Sequence, residues 1–140
     1  MMQNGYAAYR HTAIDTADQG KLILIAYDVA IRSCRQAIEK FEGREHIEER
    51  TRHLFKAQDA ITELISALKL DVGDVAVNLY NLYEYILHAL VEAGVKNNKG
   101  KVEEVLGYLE TLRSAWDEAI RKLRMESAPS LQAGNLAVQG

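Results

Sequence analysis

The chain holds one cysteine, one proline and one tryptophan in 140 residues. A lone Cys34 excludes an internal disulfide and fits a reducing compartment. With the only proline at Pro129, nothing in the first 128 positions breaks a helix by removing a backbone donor. Long apolar runs are missing too. Leu22 to Tyr27 falls far below the ~18 residues of a membrane span, so no membrane insertion is expected. The N-terminal MMQNGYAAYR lacks the apolar stretch of a signal peptide. There is also no excess of positive charge. A formal net charge of −3 and a pI near 5.8 speak against non-specific nucleic-acid binding. Together these absences predict a soluble, cytoplasmic protein.

What is present is helical. The length suits one domain with a proper core, and Leu, Ala, Glu, Ile and Lys dominate, which favours an all-α fold. Asp18 is a suitable N-cap for a helix running to about Glu42, with Gly43 as its stop. A second helix is expected from about Arg44 to Lys69, its stripe Leu54, Ile61, Ile65 and Leu68 flanked by Phe55 and Leu64. A third runs from an Asp74 cap to Gly94. Asn97-Asn98-Lys99-Gly100 marks a loop. A fourth helix, about Lys101 to Met125, keeps a heptad seam of Val102, Val105, Leu109, Leu112, Trp116, Ile120 and Leu123. Short links make successive helices antiparallel. The expectation is an antiparallel up-and-down four-helix bundle over residues 18–125. Residues 1–17 form an N-terminal arm, read equally well as a frayed end or a helical turn, and residues 126–140 a disordered tail.

Two helices carry more apolar surface than one core uses. On Asp74 to Gly94, Leu79, Leu82, Ile86 and Ala89 make one stripe and Tyr80, Tyr83, Leu87 and Leu90 a second. The two span about 180°, against the ~100° of an ordinary packed helix. The first helix has a core stripe of Ile23, Ala26, Ala30, Cys34, Ala37 and Phe41. Its second stripe, Leu22, Ile25 and Val29, dies out at Gln36. A core requirement would not stop midway along a helix. Both second stripes are expected to border one groove. Surplus apolar surface of this kind marks a protein partner, and a groove between helices suits an amphipathic helix.

No chemistry competes with that reading. A di-iron bundle needs Glu-x-x-His, but His11, His46, His53 and His88 follow Ala8, Gly43, Arg50 and Tyr85 at that spacing. Glu49/His53 and Glu84/His88 read as solvated pairs, and Cys34 as a buried thiol. Phosphate-loop and zinc spacings are missing. The expectation is no enzyme, no metal and no cofactor. Tyr80 and Tyr83, three apart, read either as protein-contact residues or as rings wrapping the bundle edge.

Four stretches in order resemble the flagellin-specific export chaperones, the FliS family: KLILIAYDVAI from Lys21, AQDAITELISAL from Ala57, NLYNLYEYIL from Asn78 and LRSAWDEA from Leu112. Departures from the family pattern include Asp18-Gln19-Gly20 at the first cap, Ala26 for a larger apolar residue, Val29 after Tyr-Asp and Asp74 in the turn before the third helix. The resemblance implies a helical bundle that binds the C-terminal segment of flagellin in apolar grooves in the cytoplasm. It implies that this binding prevents premature polymerisation and delivers the cargo to the flagellar type III export gate. The surface expected to do so is Leu22, Ile25, Val29, Tyr80, Tyr83 and Leu87, with Tyr9 or Tyr6 as a displaceable cover. On this view Tyr83→Ala weakens cargo binding more than folding. The alternative is a bundle regulator that sequesters another protein factor through the same groove. An open groove also leaves room for a homodimer.

Overall fold

The computed structural model describes residues 19–68 and 73–139, with side chains through Glu126. The helices follow the apolar stripes: α1 Gln19–Ile38, α2 Ile47–Ser66, α3 Asp74–Val95 and α4 Lys99–Gln139, with a short 3-10 turn at Arg44–His46 before α2. The described residues contain no strand, and the all-α bundle expected from the sequence is the observed fold. Tyr6, Tyr9, the N-terminal arm and the Asp18 cap lie outside the described residues.

The ends of the helices differ from expectation in instructive ways. Helix α1 stops at Ile38, short of Glu42. Its last turn tightens as the Lys40 N–H donates to the Ala37 carbonyl (2.9 Å), and this returns Phe41 to the core. Gly43 therefore does not stop α1. It sits at φ 83 between Phe41 and the 3-10 turn, a left-handed conformation that glycine adopts without strain. Nor does Asp74 cap α3. Gly73 occupies the cap at φ 119 with no side-chain cap hydrogen bond, and Asp74 is the first helical residue, where its charge complements the helix dipole.

The loop after α3 is tighter than expected. Asn97 takes the left-handed conformation (φ 53), and the Asn98 N–H donates to the Ala93 carbonyl at 2.9 Å. Asn98 then caps α4, its Oδ1 accepting from the Lys101 N–H at 3.2 Å. Two asparagines thus end one helix and begin the next. The backbone of α4 continues as helix to Gln139, past the expected end near Met125.

Around the bundle the order is α1, α2, α3, α4, each helix packed against the two beside it, with α4 closing on α1. Helices α1 and α3 stand at opposite corners. The single groove expected between their second stripes therefore does not form. In an up-and-down bundle, short links make α1 and α2 neighbours and α2 and α3 neighbours, which leaves the first and third helices diagonal.

The core is Tyr27, Ala30, Cys34 and Ala37 of α1 with Ala57 and Ile61 of α2, Tyr83, Ile86 and Leu90 of α3, and Val102, Val105 and Leu109 of α4. Small residues on α1 let its neighbours approach. A Cβ at Gly20 would lie 3.0 Å from the Ile120 side chain, so the helix contact between α1 and α4 uses that missing methyl. The α4 seam holds through Ile120, then ends. Leu123 is exposed, because α4, at about 60 Å for its 41 residues, outruns partners of 20 to 22 residues.

Candidate functional site

The sequence singled out two helix stripes, and the bundle sorts their residues into core and surface. Tyr83 is core. It is 1 % exposed, and its hydroxyl meets that of Tyr27 at 2.5 Å across the bundle diagonal. The rings lie 6.4 Å apart at 57°. Burial pushes the Tyr27 phenol far above its ordinary range, with the Tyr83 charge and hydrogen bond adding to the effect and the nearby Trp116 opposing it. Burial likewise raises the Tyr83 phenol, against hydrogen bonds with Tyr27 and Trp116. Both hydroxyls are therefore held neutral.

Tyr83 is consequently no groove residue, and Tyr83→Ala would first empty the core. The true core arc of α3 is Tyr83, Ile86, Ala89, Leu90 and Ala93. It straddles the two stripes read from the sequence. Leu79 and Leu82, placed on the core stripe, are only partly buried.

The other candidates form two edges. On α1, Leu22 is buried, Val29 half-buried and Ile25 exposed at 36 %. Asp28 and Arg35 of the same helix reach α4, through Arg113 and Glu110. Lys40 reaches Glu49 of α2. At about 100° per residue, Leu22 and Val29 thus turn toward α2 and Ile25 outward. On α3, Tyr80 and Leu87 are half-buried. Gly94 abuts Leu54 of α2, where an added Cβ would come within 3.3 Å, while Tyr85 on the far side bonds Glu104 of α4. The Tyr80 and Leu87 edge therefore also borders α2. The two edges flank α2 from opposite sides instead of facing each other.

Sequence reasoning missed the part of the α3 edge that lies furthest out. Val91 is 48 % exposed, Val77 and Val95 are exposed, and Phe55 on α2 is 59 % exposed. The approach of Gly94 to Leu54 places Val91, Val95 and Phe55 at one level of the bundle. Phe55 follows Leu54 directly and so points about 100° away from the core stripe. That offset was the signal available in the sequence. Apart from Phe55, the outer face of α2 between the edges is polar, and its Thr62 and Ser66 hydroxyls bond back to carbonyls of their own helix.

A second aromatic pair lies across α3 and α4. The Tyr85 and Tyr108 hydroxyls both donate to Glu104 Oε1, at 2.8 and 3.1 Å, with Lys101 Nζ 5.7 Å from the Tyr85 ring centre. These hydrogen bonds lower the Glu104 carboxyl, Tyr85's foremost, and Lys101 adds to the effect. Among the described residues no cluster of His, Cys, Asp and Glu could hold a metal ion, and no helix is long and apolar enough to cross a membrane. Cys34 is fully buried, and burial pushes its thiol up to about 12.

The sequence model of the family described as "Flagellar protein FliS" matches residues 2–123. The chain is 33 % identical over 125 residues to the flagellar secretion chaperone FliS of Bacillus subtilis, covering 89 % of this chain and 92 % of that protein. It is 31 % identical over 120 residues to the FliS of Campylobacter jejuni, covering 84 % of this chain and 93 % of that protein. To the FliS of Vibrio cholerae it is 28 % identical over 122 residues, covering 84 % and 89 %.

Proposed function

This chain belongs to the FliS family of flagellar secretion chaperones, which are not enzymes, and from that premise we propose that it captures the C-terminal segment of flagellin in the cytoplasm, keeps it from polymerising early and delivers it to the flagellar export gate. The observation that carries this reading is the pair of apolar edges flanking α2. Ile25 and Val29 form one, and Tyr80, Leu87 and Val91 the other, while Leu22, expected on the first, is buried. Exposed apolar surface in two strips is expensive to leave in water unless a partner covers it. Strips at helical spacing suit short amphipathic helices of an otherwise unfolded chain. Tyr6 and Tyr9 serve as a cover that the cargo displaces.

Co-expression with flagellin, followed by sizing of the purified complex, tests the reading. The expected result is a stable complex containing one copy of each chain, lost when the flagellin C-terminal segment is deleted. Retention of the complex after that deletion would overturn it.

A further inference from the structure

The α1 edge changes character along its length. Ile25 and Val29 are its apolar part. The Lys40–Glu49 contact at 3.3 Å sets the register of α1 against the antiparallel α2. Two turns back from that contact along α1, Ser33 lies level with Lys56, and a further turn brings Val29 level with Ala60. Exposed Arg32 adjoins Ser33, and exposed Arg52 stands one turn from exposed Lys56. Among the described residues, Arg32, Arg52 and Lys56 form no ion pair. Burial holds the His53 imidazole below its ordinary range, and the charges of Arg52, Lys40 and Lys56 add to the effect against Glu49. Three cations thus act on one ring, and the carboxylate opposing them there is already engaged by Lys40. Glu48 and Asp59, to either side along α2, make no ion pair with Arg52 or Lys56. Arg50 takes no part. It is 5 % exposed, and its Cζ lies 4.6 Å from the centre of the Phe41 ring. At the other end of the seam the carboxylate is Glu63, level with Ala26.

The seam therefore runs from a carboxylate beside Ile25 to unpaired cations beyond Val29. A segment that covers the apolar part brings its next one or two turns over Arg32, Lys56 and Arg52. There its charges sit at the rim of the contact, where opposite signs fix register and direction and like signs repel. Carboxylates about four to eight residues further along the bound helix meet the cations. Running the other way, they meet Glu63. The α3 edge makes no such demand, because its charged neighbours Glu84 and His88 lie 3.8 Å from each other. The two edges thus differ in the sequence they accept.

We propose that Arg32, Arg52 and Lys56 set the specificity of the α1 edge by taking acidic side chains of the cargo segment whose apolar residues cover Ile25 and Val29, an inference that rests on capture of the C-terminal segment as read above. Titration calorimetry of the full chain against a synthetic flagellin C-terminal peptide tests it. The peptide is made once in its natural sequence and once with each Asp replaced by Asn and each Glu by Gln. At about 0.05 M salt the neutralised peptide should bind about tenfold more weakly, and the gap should close at about 1 M, where exposed charges are screened. In the Arg32→Gln/Arg52→Gln/Lys56→Gln variant the natural peptide should weaken to the level of the neutralised one. The comparison of the two peptides on the natural chain needs no variant, so it stands even if the variant fails to fold. Equal affinity of the two peptides at low salt overturns the proposal and leaves the capture reading intact. A gap that persists in the folded variant places the acidic residues elsewhere and overturns the assignment to these cations. Failure of both peptides to bind overturns the capture reading and the proposal with it.

Discussion

Tyr27 and Tyr83 join the diagonally placed α1 and α3 through one buried hydrogen bond of 2.5 Å. Either hydroxyl can donate, and each is the other's partner. Removing one leaves the other hydroxyl with only Trp116 beside it. Tyr27→Phe and Tyr83→Phe should each lower stability by about 1–2 kcal/mol. The double variant should lose clearly less than the sum, because the shared hydrogen bond is lost only once. Urea unfolding of the four proteins measures this. Strict additivity would show that the bond contributes nothing.

The same pair predicts an alkaline limit. Both phenols are raised in the folded chain, so the folded state favours their neutral forms. The unfolded chain ionises them at about pH 10. Their contribution is complete below that pH and is lost progressively as pH rises above it. Melting temperature should hold steady from about pH 8 to about pH 10 and then fall. In the Tyr27→Phe/Tyr83→Phe variant the fall should be shallower. A wild-type curve parallel to the variant's would remove the tyrosines as the cause.

Cys34 should be unreactive while the chain is folded. Its thiol is fully buried and pushed up to about 12, and the thiolate is the reactive species. A soluble thiol reagent should label the native protein at a small fraction of the rate seen in denaturant. Rapid native labelling would place the thiol outside the core.

The Asp28–Arg113 pair ties α1 to α4 through two contacts, one of 2.5 Å and one of 3.3 Å. The Asp28 hydrogen bond holds the Arg113 guanidinium above its ordinary range. Both side chains are partly exposed, so solvent screens the pair. Asp28→Asn should destabilise by less than about 1 kcal/mol, and the difference should shrink in high salt. A loss above about 2 kcal/mol would mean that the pair acts as a buried one.

Tyr80→Ala and Val91→Lys probe the α3 edge without emptying the core. Each should weaken flagellin peptide binding by about tenfold or more while shifting stability by about 0.5 kcal/mol or less for Val91→Lys and somewhat more for the half-buried Tyr80. Calorimetry and thermal melts read the two effects separately. Deleting residues 1–10 should change affinity and leave helical circular dichroism in place. A loss of helix in that truncated chain would contradict a displaceable arm.

The bundle was readable from periodicity because each helix buries a face at 3.6-residue spacing. Cys34, Leu54, Ile61, Val102, Val105 and Leu109 fall in the core as their stripes predict. The division of α3 was not readable. On a helix apolar over half its circumference, periodicity gives the width of the apolar arc but not its centre, and Tyr83 lies near the middle of the combined stripes. The neighbours of α1 were within reach of sequence reasoning, since short links alone put α1 and α3 at opposite corners. Arg50 was out of reach. A cation in an amphipathic helix reads as solvated until Phe41 is seen to lie over it.

The diagonal placement of α1 and α3 has a consequence for the kind of object the protein can hold. A convex rigid body does not rest in both edges of α2 at once, because a helix about 10 Å across stands between them. A ligand that uses both must bend around that helix as a belt. An extended chain with short helical pieces can do this. If both edges hold the cargo as proposed, the geometry favours a polypeptide that has not yet folded.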